Sequence, residues 1–161
     1  MNCLIVWYSR DGHTQKVGKK LTELINAESE EIYDLKNRKG IINWFIAGRD
    51  AMKQLKTEIQ FYKDPKNFDL IIIGTPVWAG RMAPAIRTYI EKNNMNFSKV
   101  CVFCTHGGNS SGKTLVEMEQ ILPVILKEDF QSKEIERDEY LSKLQAFAER
   151  IKKIKVDEFR K

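Results

Sequence analysis

Three uninterrupted apolar runs constrain this chain most: Leu4-Ile5-Val6-Trp7, Leu70-Ile71-Ile72-Ile73 and Val100-Cys101-Val102-Phe103. A strand with one wet face alternates apolar and polar side chains, so runs without polar positions belong to strands covered on both faces. Between them lie segments of helical spacing. Val17, Leu21, Leu24 and Ile25 share one face. Ala83 to Glu91 carries Pro84 in its first turn, Thr114 to Leu122 is stopped by Pro123, and Tyr140, Leu144, Phe147, Ala148 and Ile151 mark a last helix. Glu30 to Tyr33 reads as a weak second strand, and Val124-Ile125-Leu126 begins a fifth. The stretch GIINWFIAGRDAMKQL supplies the helix between strands two and three, with Ile41, Phe45, Met52 and Leu55 as its apolar face and Trp44 packed in the core or at its edge, the alternative being a lid over a bound ligand. Alternating strands and helices joined by right-handed crossovers imply a doubly wound α/β domain: a five-stranded parallel sheet with helices on both faces.

A chain of 161 residues suits one such domain, taken as residues 1–155, followed by a short basic tail, 156–161. No apolar run approaches a membrane span and the opening residues do not form a signal peptide, so a cytoplasmic location is expected, with no nucleic-acid partner. Three cysteines argue against a disulfide framework. Cys101 and Cys104 spell C-x-x-C, but along a strand that spacing sends the two side chains to opposite faces, so core cysteines are expected. The net charge is +5, with six basic residues against Asp50 between Lys36 and Lys56, and six against two acids between Arg150 and Lys161. Such excess favours an anionic partner or simply covers a solvated face.

In sheets of this kind ligands sit beyond the carboxyl ends of the strands. Three loops leave those ends. The first, Ser9-Arg10-Asp11-Gly12-His13-Thr14, runs into a helix whose unpaired N–H groups and partial positive charge make an anion site suited to a monophosphate. It equally suits a plain turn capped by Ser9 or Asp11. The second, Thr75-Pro76-Val77-Trp78-Ala79-Gly80, puts Trp78 on an exposed turn, where an indole stacks against a flat ring or folds back on the next helix. The third contains Thr105, His106, Gly107 and Gly108, and spells G-x-x-x-x-G-K-T from Gly107 to Thr114. That is the pattern of a nucleotide P-loop, but a P-loop opens the first crossover and needs a magnesium-binding acid from another strand. Here the match follows strand four, and the best strand ends in Gly74-Thr75 without an acid. The match is a decoy, and its glycines are free to let backbone approach a ligand.

With these loops the chain resembles the flavodoxins, especially short archaeal-type ones carrying YSR-G-T, GTPVWAGR-APAIRTYIE and F-CT-GG, over about residues 2 to 152. The resemblance implies strand order 2-1-3-4-5 and flavin mononucleotide (FMN) as cofactor. It places Ser9 to Thr14 around the phosphate, Thr75 to Gly80 against one side of the flavin ring, and Thr105 to Gly108 at its other edge. It implies no catalytic residues, since the flavin carries the electrons. A carbonyl in Trp78-Ala79-Gly80 would accept a hydrogen bond from the ring, although Ala79 makes a peptide flip there harder than glycine would.

Two features depart from the family pattern. Asp11 stands where a hydroxyl is usual and is expected to turn outward. The basic charge is unusual too, and should raise the lower flavin potential and select a different redox partner: an acidic ferredoxin, or a reductase. The expected function is electron transfer between soluble redox proteins. The alternative is an FMN-dependent oxidoreductase acting on a quinone or porphyrinogen, and a flavin-free binding domain is a third class.

Overall fold

A computed structural model describes residues 1–97 and 99–154; the expected 156–161 tail lies outside the described residues. Its five parallel strands are β1 (Cys3–Trp7), β2 (Glu28–Glu31), β5 (Leu70–Trp78), β7 (Val100–His106) and β8 (Val124–Gln131). They lie in the order β2-β1-β5-β7-β8, which is the expected 2-1-3-4-5. Register is tight at the centre: Val6 faces Ile73, and Ile73 faces Val102. Alternation then sorts the core into two layers. Leu4, Val6, Ile71, Ile73 and Val102 point to the side covered by α3 (Pro84–Asn93) and α4 (Thr114–Ile121). Ile5, Trp7, Leu70, Ile72 and Phe103 point to the side of α1 (His13–Ile25) and α6 (Leu141–Lys152). Each such buried side chain contributes about 1.5–3 kcal/mol. Cys101 and Cys104 fall in opposite layers, and burial pushes the thiols of Cys3 to about 11 and Cys101 to about 12, and that of Cys104 upward as well. No described helix is long and apolar enough to cross a membrane.

Several boundaries differ from the sequence reading. The second strand lies earlier, at Glu28–Glu31, because Ile32 is drawn into the core and its N–H donates to Trp7 O (2.7 Å). The chain then leaves the sheet, and β3 (Tyr33–Asp34) pairs antiparallel with β4 (Ile59–Gln60). Strand β5 does not end at Gly74 but runs to Trp78, since β6 (Arg81–Met82) folds back on it, pairing Val77 with Met82 and Trp78 with Arg81. Trp78 therefore ends a strand rather than standing on an exposed turn. A short α5 (Ser132–Glu136) follows β8, where periodicity gave no signal.

The largest correction concerns α2 (Ile41–Met52). Its buried residues are Ala47, Asp50 and Ala51, while Ile41, Phe45, Met52 and, just beyond it, Leu55 face outward. Trp44 is 55% exposed, not core. The helix is anchored by charge. Asp50 Oδ2 accepts from Lys36 Nζ (2.8 Å) and Arg38 Nη1 (2.7 Å), and its Oδ1 from Arg49 Nη2 (2.8 Å). Arg38 Nε also donates to Asp34 Oδ2 (2.9 Å). Burial alone would raise the Asp50 carboxyl, but the hydrogen bonds from Lys36, Arg49 and Arg38 outweigh it and hold the group well below the carboxylate range. Lys56 pairs with Glu91, so four of the six basic residues from 36 to 56 are in ion pairs within the chain.

The two-residue turn between β5 and β6 has positive φ at both Ala79 (49°) and Gly80 (76°), the backbone that type I′ hairpins require. Alanine there bears a cost of about 1 kcal/mol that glycine does not. Ala79→Gly should therefore raise unfolding stability by up to about 1 kcal/mol, and Ala79→Val should lower it, as urea denaturation would read. At the sheet centre, a Cβ on Gly74 would lie 2.6 Å from Cε2 of the buried Phe103 ring. Gly74→Ala should cost about 1–3 kcal/mol in the same assay; an unchanged midpoint would refute this packing.

Candidate functional site

The carboxyl ends of β1, β5 and β7 meet at one rim, and their loops enclose a cleft of about 270 Å³. Ser9, Arg10, Asp11, His13 and Thr14 form one wall, Pro76, Val77 and Trp78 a second, and Thr105, His106 and Gly107 a third. Trp44 and Ser132 complete it. Ser132 was not expected, and Trp44 was expected in the core or at its edge, with a lid as the alternative. Trp44 sits on a helix whose apolar pattern pointed inward, and Ser132 follows a strand whose end had no sequence signal.

The first wall offers uncapped backbone N–H groups, which suit an anion. Gly12 caps α1 at φ 90° with no side-chain hydrogen bond, so the first-turn amides have no capping acceptor. A side chain at Gly12 would meet nothing within 4 Å, so the backbone there is open to a guest. The Gly12 N–H itself donates to Ser9 Oγ (3.1 Å), which fixes the turn. Thr14 and Thr105 hydroxyls lie 2.7 Å apart; one donates to the other, which leaves the second proton to be directed elsewhere. Asp11 turns outward, its side chain 61% exposed and its Oδ1 3.5 Å from Arg10 Nε.

The two histidines are held by partners. His13 Nε2 lies 3.0 Å from Glu136 Oε1. His106 Nδ1 donates to Gly108 O (3.0 Å), and its Nε2 lies 3.6 Å from Asp129 Oδ1. Trp78 is braced by Tyr8, edge-on at 5.5 Å, and by the Arg38 guanidinium, 5.9 Å from its ring. Burial pushes the Tyr8 phenol upward, as expected of a ring used for packing.

Other expected site residues are engaged in contacts within the fold. Thr75 is fully buried, its Oγ1 accepting from the Ala83 N–H (3.1 Å). Gly80 O accepts from the Lys113 N–H (2.8 Å), and Gly108 O from Gln131 Nε2 (2.9 Å) as well as His106. A Cβ on Gly112 would lie 2.7 Å from Gly80 Cα, so the third loop packs backbone to backbone on the hairpin. Of the P-loop-like glycines only Gly112 serves this contact, Gly107 and Gly108 having open space where a Cβ would stand, and Lys113 caps α4. Ala79 belongs instead to a second cleft of about 350 Å³ between the hairpin and α2, which shares Arg10, Trp44, Val77 and Trp78 with the first.

Comparison with known proteins agrees with this architecture. A flavoprotein from Lactobacillus acidophilus, solved in complex with FMN, superposes with a TM-score of 0.70 at 27% identity over 89% of this chain and 97% of its own. An NADH:FMN oxidoreductase in its apo form gives 0.62 at 11% identity over 93% and 88%. A flavodoxin from the domain Archaea gives 0.54 at 16% identity over 94% and 99%. The last two show a shared fold only. No curated protein matches the chain in sequence. Residues 2–146 match the family described as Flavodoxin; with the amide-lined cleft at the head of the sheet, the chain belongs to the flavodoxin family.

Proposed function

We propose that this chain is an FMN-binding electron-transfer protein that passes electrons between soluble redox proteins. One observation carries the reading: an uncapped helix start and an indole face one cleft at the rim of the sheet. The first suits a phosphate and the second a flat conjugated ring. The Lactobacillus flavoprotein that holds FMN supports it. Bound FMN supplies the redox chemistry, taking up and releasing electrons.

The chain's own residues bind and orient. The first-turn amides of α1 and the spare proton of the Thr14–Thr105 pair would hold the phosphate, with Arg10 nearby. Trp78, braced by Tyr8 and Arg38, would offer its face to the ring. The Gly80 carbonyl is committed to Lys113 and stiffens the hairpin behind the indole. The basic surface favours an acidic partner, such as an acidic ferredoxin, or a reductase with an acidic face. A second reading, an FMN-dependent oxidoreductase turning over a quinone or porphyrinogen, gains support from the apolar cleft beside the first.

Titrating the apoprotein with FMN, followed by flavin absorbance and tryptophan quenching, should give stoichiometric uptake. Trp78→Ala should weaken it by about tenfold. Protein that stays colourless, or that takes up ATP and magnesium at Lys113 instead, overturns the proposal. Steady turnover of quinone, as against electron exchange with a protein, separates the two readings. Replacing the exposed Lys39, Lys53 and Lys56 by Gln should lower the FMN potential by an amount on the order of tens of millivolts, given that 59 mV corresponds to about 1.4 kcal/mol. A redox titration that does not move would sink the charge argument.

A further inference from the structure

The cleft between α2 and the β5–β6 hairpin is not needed by an anion at the start of α1. Its walls are apolar and partly aromatic: Trp44, Phe45 and Met52 on the helix, Val77, Trp78 and Ala79 on the hairpin. Helix and hairpin approach closely at its floor, where a Cβ on Gly48 would lie 4.0 Å from Ala79 Cβ. Phe45 and Met52 are 65% and 59% exposed, which leaves large apolar surfaces facing water across a slot of about 350 Å³. That is within the range of small-molecule sites, which combine such walls with a few placed polar groups.

The polar groups here are cationic. Arg10 stands at the end shared with the first cleft, and Arg49 lines the other part. Arg49 is oriented through Nε and Nη2, both donating to Asp50 Oδ1 (3.2 and 2.8 Å). In that cluster two carboxylates, Asp34 and Asp50, meet three cations, Lys36, Arg38 and Arg49, so one positive charge is left over beside the cleft.

We propose that this cleft binds a flat aromatic molecule bearing a carboxylate or similar anionic group, next to the FMN. The aromatic walls select a planar guest, and the surplus charge selects its sign. The proposal rests on the proposed function in one respect: the flavin ring occupies the first cleft and not this one.

The test titrates 2-naphthoate into FMN-saturated protein by ligand-observed NMR, with neutral 2-naphthamide as control. Both should bind saturably, naphthoate about threefold more tightly or better. Met52→Trp, which fills the slot from an exposed position, should abolish binding of both. Arg49→Gln should remove only the preference for the anion, since Asp50 keeps Lys36 and Arg38. Neither variant should change FMN content, and Met52→Trp should leave thermal unfolding unchanged, whereas Arg49→Gln should lower it slightly because Asp50 loses one of its three partners. Competition between naphthoate and FMN would overturn the proposal, because the ring would then lie in this cleft. So would binding indifferent to Met52→Trp, or no saturable binding to the loaded protein. Failure to take up FMN at all is read separately from absorbance and overturns the proposed function instead. The same variant pattern in that apoprotein would still uphold the aromatic site.

Discussion

Everything at the functional rim depends on the parallel registration of β1, β5 and β7. Because Val6, Ile73 and Val102 lie side by side and are sealed from both faces, the three strands finish at fixed relative heights. Their loops have no freedom to separate. A helix start, an indole and a pair of threonine hydroxyls from distant parts of the sequence are thereby held around one space. Burial of hydrocarbon, which has no directional preference, becomes positional precision through the hydrogen-bonded ladder between the strands.

The sheet was legible because this burial leaves a simple trace. Runs such as Leu70 to Ile73 have no polar interruption, and the turn residues between elements punctuate them clearly. The loops that bear the site were legible for a similar reason, since the topology itself dictates which end of a strand faces a ligand. Thr75 shows the limit of that logic. It belongs to the right loop, but its hydroxyl is consumed by the Ala83 amide, a contact no local pattern announces.

Helix α2 was misread because its determinant is electrostatic and distant in sequence. Ile41, Phe45 and Met52 have the spacing of a buried stripe. What decides the helix's rotation is Asp50, whose carboxylate must meet Lys36, Arg38 and Arg49 once it is removed from water. Satisfying one buried charge outweighed hiding several hydrocarbons, so the apolar stripe and Trp44 were turned toward the rim. Hydrophobic periodicity carries no information about such a contest.

The backbone contact between Gly112 and Gly80 has a mechanical consequence. Two chain segments that touch without intervening side chains, and share the bond from the Lys113 amide to Gly80 O, behave as a single jaw. The hairpin and the loop that leads into α4 can therefore shift only together, and a substitution that displaces one is transmitted to the other without passing through a side chain.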